Sequence, residues 1–349
     1  GAPHAGVKAM SGSSGGGFAL MSEPLGLAEM TETPLVLVEA MRAGPSTGMP
    51  TKPEQGDLEH ILYTSQGDST RVVFAPANVE ECYTQTRKAF ELAYEYQIPA
   101  IVAYDQKLQG ELRNVPESFF DEEPNADPGS VLTEEEIAEA AHHASDKFKR
   151  FLHEPEDGSN VSPRSVPGQE GGRFLATGNE HNEAGHISED PENRVIQMDR
   201  RMGKLDDIRE ELDAEASHQT YHGPEDADYG IITWGSQQDT VFEAVDDLNE
   251  AGHSVKAVGV SDLMPFPEAE MTEFLESVEH AVVAEMNASG QLRGHIQKEL
   301  GKYGDKLSSL LKYNGNPFEP RDIVEGFETS LKTGELPHTR MKYVPAAGD

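Results

Sequence analysis

An arginine followed by a loop rich in glycine, proline and hydroxyl residues is the part of this sequence best suited to chemistry. The loop runs from Arg42 to Asp57 and includes a lysine, two threonines and a glutamine. So many glycines and prolines prevent a helix, so the arginine is held in a fixed loop. A guanidinium in such a loop can form a fork of hydrogen bonds to a carboxylate or a phosphate. The alternative is a surface loop whose arginine pairs with a nearby acid, and spacing alone leaves both interpretations open.

A glycine run nearer the start of the chain is the second candidate. Residues 12–17 read Gly-Ser-Ser-Gly-Gly-Gly, and the apolar residues after them begin a predicted helix. Free amide groups at the start of a helix can hold a polar ligand group, which makes Ser13, Ser14 and Gly15 candidate binding residues. The alternative is a tight connection where two backbones pack closely.

Predicted strands and helices position both candidates. An apolar run over 34–40 has the length and composition of a buried strand and delivers Arg42 at its carboxyl end. A strand over 71–75, a helix over 79–97 and a strand over 98–104 form a βαβ unit. In open α/β sheets, ligands bind beyond the carboxyl ends of the strands, and the Arg42 loop lies at such a place.

The second half of the chain repeats this α/β alternation. Strands are predicted over 229–234, 255–260 and 281–285, with helices over 239–250, 268–278 and 291–300, which indicates a second, smaller doubly wound domain. Trp234-Gly235-Ser236 and Met286-Asn287 fall at strand ends, where either a ligand, a partner or an ordinary turn is expected. Between these halves, a capping box at Thr133 predicts a helix to about residue 152, residues 155–172 read as a linker, and 198–216 as a helix. We therefore predict domains over 1–115 and 227–349, joined by an irregular acidic section over 116–226.

The composition excludes several classes of function. Among 349 residues, 28 are basic and 63 acidic, which gives a net charge of −35, and such a surface repels nucleic acid and anionic membranes. Acidic residues alternate with periodic apolar segments, which is typical of a folded protein in the salty cytoplasm of a halophile. Cys82 is the only cysteine, so neither a disulfide nor a cysteine-ligated iron–sulfur cluster forms within this chain. His181 and His186 lie five residues apart in a predicted loop, and we expect no metal there.

The motifs together resemble a known family. They are Gly1-Ala2 with Ala5-Gly6, Ser13-Ser14-Gly15, Leu20-Met21-Ser22-Glu23, Arg42 with Gly44-Pro45-Ser46-Thr47-Gly48, Pro50-Thr51, Gln55, Asp57, Gly178-Asn179-Glu180-His181 and Lys312-Tyr313-Asn314-Gly315. This set resembles the α subunit of pyruvate or 2-oxoglutarate:ferredoxin oxidoreductases of the haloarchaeal type. The chain starts inside the first motif, so we expect it to be the C-terminal part of a longer protein.

The resemblance implies a fold, a reaction and partners. It implies a thiamine-diphosphate-binding, pyrimidine-type α/β domain and a second domain like the transketolase C-terminal one. The implied enzyme, of the EC 1.2.7 class, is cytoplasmic and decarboxylates a 2-oxoacid oxidatively, makes acyl-CoA from coenzyme A and passes electrons to ferredoxin. Diphosphate, magnesium and a [4Fe-4S] cluster are expected on a β subunit in an (αβ)₂ complex. Consistently, this sequence has no Gly-Asp-Gly followed by the asparagine of a magnesium motif.

The resemblance also implies roles for single residues. Arg42 is expected to bind the substrate carboxylate with Thr51 as a neutral donor, and Ser13, Ser14 and Gly15 to lie on the pyrimidine side of the cofactor. The glutamate that activates the cofactor is expected before Gly1, so this chain alone is expected to be inactive. Two rival hypotheses are a non-catalytic acidic α/β interaction protein and a self-contained enzyme of the transketolase type, and the missing magnesium motif disfavours the latter.

Overall fold

Two β-sheets and the helices around them form the described part of the chain. The structure is a computed structural model that describes residues 1–120, 127–139, 143–144, 147–333 and 339–340. The strands are β1 (Met10–Ser13), β2 (Leu35–Met41), β3 (Val72–Phe74), β4 (Pro99–Asp105), β5 (His143–Ala144), β6 (Lys147–Phe148), β7 (Thr220–His222), β8 (Tyr229–Trp234), β9 (Val255–Val260), β10 (Asp262–Met264), β11 (His280–Glu285), β12 (Leu307–Leu311) and β13 (Thr339–Arg340).

The helices lie mainly between these strands. They are α1 (Gly16–Ala19), α2 (Ser22–Met30), α3 (Leu58–Tyr63), α4 (Val79–Tyr96), α5 (Gln106–Gln109), α6 (Glu134–Ile137), α7 (Pro191–Ala214), α8 (Gln238–Glu250), α9 (Glu268–Glu276), α10 (Gln291–Leu300) and α11 (Pro320–Thr333). The longest, α7, has 24 residues. Across the described residues, every helix is too short or too polar to pass through a membrane.

The first sheet carries the Arg42 loop. Its five strands lie in the order β1-β2-β4-β3-β10, and all of them pair in parallel except β10, which runs antiparallel to β3. Strand β1 pairs with β2 so that Ser13 lies opposite Glu39. This register places the glycine run and the start of the Arg42 loop at the same carboxyl edge.

The second sheet is larger than the sequence predicted. Its six strands lie in the order β13-β12-β11-β8-β9-β7. The three predicted strands are present as β8, β9 and β11, which pair in parallel. Strands β7, β12 and β13 of this sheet were not predicted, and neither was β10 of the first sheet, because these strands are short or, in β12, interrupted by Ser308 and Ser309. The α/β fold prediction is confirmed.

The largest apolar cluster joins the two sheets. It contains Leu37 and Met41 of β2, together with Val258 of β9 and Val283 of β11. Helices α3, α9 and α10 contribute buried side chains to the same cluster. A shared core of this kind removes apolar surface of both halves from water, so it fixes the two sheets against each other.

The section between the sheets corrects one prediction. The capping box is present, since the amide of Glu136 donates to Thr133 Oγ1 at 3.2 Å and the Thr133 amide donates to Glu136 Oε2 at 2.8 Å. However, the helix ends at Ile137, and β5 and β6 form an antiparallel pair instead of a helix to residue 152. Part of that range, residues 140–142 and 145–146, lies outside the described residues. Burial of Arg150 and Phe151 explains the difference, because tertiary packing overrides local helix preference.

A buried ion cluster holds this section to the first sheet. Glu32, just before β2, is 1% exposed and accepts hydrogen bonds from Arg200, at 2.8 Å through Nη1, and from Lys204 Nζ at 2.6 Å, both on α7. The Arg150 guanidinium donates to the Glu32 carbonyl at 2.8 Å. Burial alone would raise the pKa of Glu32, but Arg200 and Lys204 hold that pKa well below its usual range. Helix α7 begins at Pro191, earlier than the predicted residue 198, because Asp190 caps it.

Candidate active site

Backbone hydrogen bonds close the Arg42 loop into a narrow neck. The Ala43 amide donates to the Lys52 carbonyl at 2.9 Å, and the Met49 amide donates to the Ala43 carbonyl at 2.8 Å. Gly48 has φ +50, and a Cβ there would lie 1.9 Å from the Ala43 carbonyl oxygen, so only glycine fits. The loop is therefore ordered by its own backbone, which leaves its side chains free for other contacts.

Arg42 is half-buried directly after β2 and makes no ion pair with any described residue. Its Nε atom is buried and has no hydrogen-bond partner. The carboxyls of Glu39 and Asp57 are near enough for its charge to lower their pKa values. A Cβ on Gly15 would lie 3.4 Å from Arg42 Nε, so the glycine run packs directly against the guanidinium. The structure thus brings Arg42 and Gly15 together.

Glu39 is a site residue that sequence reasoning missed. It is fully buried, it lies on the same face of β2 as Leu37 and Met41, and its Oε1 accepts the Gly15 amide at 2.6 Å. Its other oxygen, Oε2, is buried without a partner. Burial raises the pKa of Glu39 to about 8, with Asp57 adding to the rise, while the Gly15 bond and Arg42 oppose it. A lone acid inside an apolar strand was the signal that the sequence offered.

Gln55 connects the Arg42 loop to the second sheet. Its amide donates to the Met286 carbonyl at 2.6 Å, and its side chain donates to the Trp234 carbonyl at 2.9 Å and accepts from the Met286 amide at 2.9 Å. Asn287 Nδ2 donates to the Gln55 carbonyl at 3.3 Å. The strand ends at Trp234 and Met286 therefore contact a loop of the same chain.

A second connection lies beside Gln55. Ser236 Oγ donates to Asp105 Oδ2 at 2.6 Å, and Lys107 Nζ donates to the Ser236 carbonyl at 2.5 Å. Asp105 ends β4, so the carboxyl edges of both sheets meet at this point. Because both oxygens of the buried Asp105 carboxyl accept hydrogen bonds, from Ser236 Oγ and from the Lys107 amide at 2.9 Å, the connection fixes where the Arg42 loop lies relative to the second sheet.

Comparison with known proteins decides the family. Residues 1–200 match the family model "Pyruvate flavodoxin/ferredoxin oxidoreductase, thiamine diP-bdg", and residues 227–323 match "Pyruvate:ferredoxin oxidoreductase core domain II". The chain is 31% identical over 332 residues to 2-oxoglutarate synthase subunit KorA of Methanothermobacter marburgensis, which covers 93% of this chain and 81% of KorA. The chain belongs to the 2-oxoacid:ferredoxin oxidoreductase α subunits. The predicted resemblance and the thiamine-diphosphate-binding fold class are thus confirmed.

Two further relatives extend this assignment. The α subunit of 2-oxoacid:ferredoxin oxidoreductase 2 from Aeropyrum pernix is 33% identical over 336 residues, which are 96% of this chain and 50% of that protein. The 2-oxoglutarate:ferredoxin oxidoreductase of Magnetococcus marinus, solved with 2-oxoglutarate, coenzyme A and succinyl-CoA bound, superposes with a TM-score of 0.80 at 35% identity, covering 95% of this chain and 54% of that one. This α-subunit chain thus spans about half the length of such relatives.

The remaining predicted site residues lie around Arg42 in this family member. Ser13 ends β1, and Ser14 and Gly15 follow it half-buried at the same edge. Thr51 is exposed and adjoins Lys52, whose carbonyl closes the neck beside Arg42. Their roles in binding stay predictions.

Two other family motifs have structural contacts. Glu180 receives hydrogen bonds from Arg194 and from Arg201 Nη2 at 2.7 Å, which fasten its loop to α7. A Cβ on Gly315 would lie 2.9 Å from Met49 Cε, so the Lys312–Gly315 loop packs against the tip of the Arg42 loop. The Lys312–Gly315 loop therefore borders the candidate site.

His181 and His186 lie in a loop with contacts of their own. The His181 ring packs on Phe151 with 4.0 Å between ring centroids, and its Nδ1 is 2.9 Å from the Asn179 carbonyl oxygen. The amide of Asn182 donates to the His186 carbonyl at 2.9 Å, which closes a turn. Within the described residues, no group of three or more metal-ligating side chains is found.

Proposed function

We propose that this chain provides the carboxylate-binding side of the active site in a coenzyme A-dependent 2-oxoacid:ferredoxin oxidoreductase. The reaction converts a 2-oxoacid, coenzyme A and two oxidised ferredoxins into acyl-CoA, CO₂, two reduced ferredoxins and a proton. The observation that carries the proposal is a half-buried arginine that forms no ion pair within the described part of the chain, although the net charge is −35.

The pairing of the other cations makes Arg42 unusual. Most lysines and arginines with described side chains contact a carboxylate, a hydroxyl, a carbonyl or an aromatic ring. The structure gives no such contact for Arg42, Lys52 and Arg173, and two of these three cations lie on one loop. A cation that forms no ion pair with the described acids of so acidic a protein is available for an anionic substrate.

Arg42 then acts by binding and orienting the substrate carboxylate. A charge-assisted hydrogen bond of this kind contributes about 1.5–3 kcal/mol, which is roughly 10- to 150-fold in affinity. Thr51 adds a neutral donor. One guanidinium with a hydroxyl holds the carboxylate without fixing it so strongly that its departure as CO₂ is prevented.

The residues beside Arg42 fit the polar edge of a thiamine ring. Ser13, Ser14 and Gly15 are half-buried, and a side chain on Gly15 would press on the Arg42 guanidinium. Ser13, Ser14 and Gly15 would hold that edge. Thiamine diphosphate supplies the carbon nucleophile and the electron sink when it is bound. The β subunit, its magnesium and [4Fe-4S] cluster, ferredoxin and an (αβ)₂ assembly belong to the same proposal.

We propose that 2-oxoglutarate, rather than pyruvate, is the preferred substrate. The Magnetococcus enzyme was solved with 2-oxoglutarate bound, and the Methanothermobacter relative is named 2-oxoglutarate synthase. Lys52 is a second cation without a partner on the Arg42 loop, and a second substrate carboxylate would match it. We further propose a cytoplasm with multimolar salt as the setting, because screening relieves repulsion among the acids.

Viologen reduction tests this function. The full-length protein is co-expressed with its β subunit and assayed in multimolar KCl with coenzyme A and either 2-oxoglutarate or pyruvate. We expect reduction that requires coenzyme A and is faster with 2-oxoglutarate. A folded complex with cofactor and cluster that reduces viologen with neither acid would overturn the proposal and favour the non-catalytic interaction protein.

A further inference from the structure

The Glu39 carboxyl group adjoins the proposed carboxylate site without being satisfied by the rest of the chain. Among the described residues it has one hydrogen bond, from the Gly15 amide at 2.6 Å, and no ion pair. Its neighbours on the same face of β2 are Leu37 and Met41, which belong to the shared apolar core. An ionised carboxylate buried with a single hydrogen bond is costly, so the neutral acid is the favoured form.

Two buried atoms without partners make the arrangement incomplete. Glu39 Oε2 and Arg42 Nε are both enclosed, and neither has a hydrogen-bond partner. Gly15 contacts both side chains, since its amide donates to Glu39 Oε1 and a Cβ on it would lie 3.4 Å from Arg42 Nε. An acceptor and a donor that both lack partners beside the same glycine can pair with each other once the acid carries a charge.

We propose that Glu39 is a positioning residue that competes with the substrate carboxylate for Arg42. While Glu39 carries its proton, the guanidinium is free to bind the substrate. After Glu39 loses its proton, the two side chains pair and the substrate is excluded. This inference rests on the proposed function and adds a control on substrate binding to it.

Other groups that face Glu39 bear on its charge. Asp57, at the start of α3, is a second acid near Arg42 and favours the neutral form of Glu39. Tyr104, on the neighbouring strand β4, also feels the Glu39 charge, and burial raises its own pKa from 10. Since burial raises the pKa of Glu39 to about 8, the exchange should occur at mildly alkaline pH.

The test compares KM and kcat from pH 6.5 to 9.5 in the holoenzyme complex. For the wild type, KM for the 2-oxoacid should rise about tenfold from pH 7 to pH 9, while kcat changes little. The reason is that the fraction of enzyme with a protonated Glu39, in which Arg42 can bind the substrate, falls. In Glu39→Gln the side chain stays neutral and keeps its Gly15 bond, so KM should stay flat. If Glu39 has only a structural role, KM of Glu39→Gln should differ from that of the wild type by the same factor at every pH.

Two control variants separate Glu39 from its neighbours. Glu54 also accepts a backbone amide of the loop, that of Gly44 at 3.0 Å, and burial also raises its pKa, but Arg42 does not act on it. Glu54→Gln should therefore keep the alkaline rise in KM. Asp57→Asn should move the rise to lower pH without removing it, because the Asp57 charge raises the pKa of Glu39. Loss of the rise in Asp57→Asn, with the rise kept in Glu39→Gln, would overturn the proposal.

A binding measurement distinguishes this inference from the proposed function. Oxamate, which carries a carboxylate beside a carbonyl, is titrated into the same complexes by calorimetry. Wild-type binding that weakens about tenfold from pH 7 to pH 9, with no weakening in Glu39→Gln, supports the competition. If Glu39→Gln weakens as the wild type does, the inference fails while the function stands. If the wild type neither binds oxamate nor turns over a 2-oxoacid at pH 7, both fail.

Discussion

Glu32, just before strand β2, and Glu39, near the carboxyl end of that strand, are both buried, and their surroundings differ completely. Glu32 receives hydrogen bonds from Arg200 and Lys204, and its pKa lies well below the usual range. Glu39 receives one backbone amide, and burial raises its pKa to about 8. The amino end of the strand is thus satisfied by the chain itself, whereas the carboxyl end keeps unsatisfied groups where α/β folds bind ligands.

This contrast separates two uses of a buried carboxyl group. At Glu32 the charges are matched within the chain, so the cluster orders the middle section and offers nothing to a ligand. At Glu39 the match is incomplete, because an arginine stands nearby without being bonded. A strongly perturbed carboxyl group with free hydrogen-bonding capacity marks a functional site better than burial alone does.

The largest expected effect is the loss of stability when Glu32 is neutralised. Glu32→Gln leaves Arg200 and Lys204 buried without a counter-charge, which should lower the free energy of unfolding by about 3–5 kcal/mol. Denaturant unfolding in multimolar KCl measures this loss. Glu39→Gln is the matched control, because it keeps its only hydrogen bond, and it should not lose stability.

A double variant provides the test if Glu32→Gln alone does not fold. Adding Lys204→Met removes one of the stranded charges and should restore part of the stability. Equal stability of the wild type and Glu32→Gln would show that the ion cluster does not hold the middle section, and the contrast between the two glutamates would be lost.

The next effect is on turnover. Arg42→Ala should lower kcat/KM for the 2-oxoacid by about 10- to 150-fold, the equivalent of one charge-assisted hydrogen bond of about 1.5–3 kcal/mol. The unfolding midpoint should not change, because Arg42 makes no ion pair in the structure. Arg173→Ala, which removes an exposed arginine elsewhere, is the control. Near wild-type turnover in Arg42→Ala would contradict the proposal that Arg42 binds the substrate carboxylate.

Much of the architecture could be predicted from local pattern. The runs that became β2, β4, β8 and β9 are apolar and β-branched, and their bounds fall within a residue or two of the prediction. The helix expected from Thr133 failed because Arg150 and Phe151 are buried by distant segments. Strand β12 was missed since Ser308 and Ser309 interrupt its apolar pattern, although both serines are buried in the sheet.

The candidate site was predictable only in part. Arg42 and the glycine run could be singled out because their residue types are unusual for their positions. Glu39 could not, because its importance depends on the pairing of β1 with β2, which brings the glycine run beside it. Gln55 was recognised as part of a motif, but its contact with Met286 joins residues far apart in the sequence. Long-range contacts of this kind leave no local pattern.

The smallest effect, and the one that compares the two glutamates directly, is the pH dependence of stability. A carboxyl group with a lowered pKa stabilises the fold above its unfolded pKa and loses that contribution as pH falls through its folded pKa. The deficit of Glu32→Gln should therefore be complete at pH 7 and shrink below about pH 4. For Glu39 the sign is opposite, because its raised pKa contributes stability at low pH that is lost as pH rises from 4.5 to about 8.

Glu39→Gln avoids this loss, since glutamine has no proton to release. Its unfolding free energy should equal that of the wild type near pH 4.5 and exceed it by roughly 1–3 kcal/mol above pH 8. Denaturant unfolding of the three proteins at several pH values, at constant KCl, measures both trends. We expect the unfolding free energies of Glu32→Gln and Glu39→Gln, each relative to the wild type, to change in opposite directions with pH. If both change in the same direction, the two carboxyl groups share one kind of environment, and the distinction between the two ends of β2 is wrong.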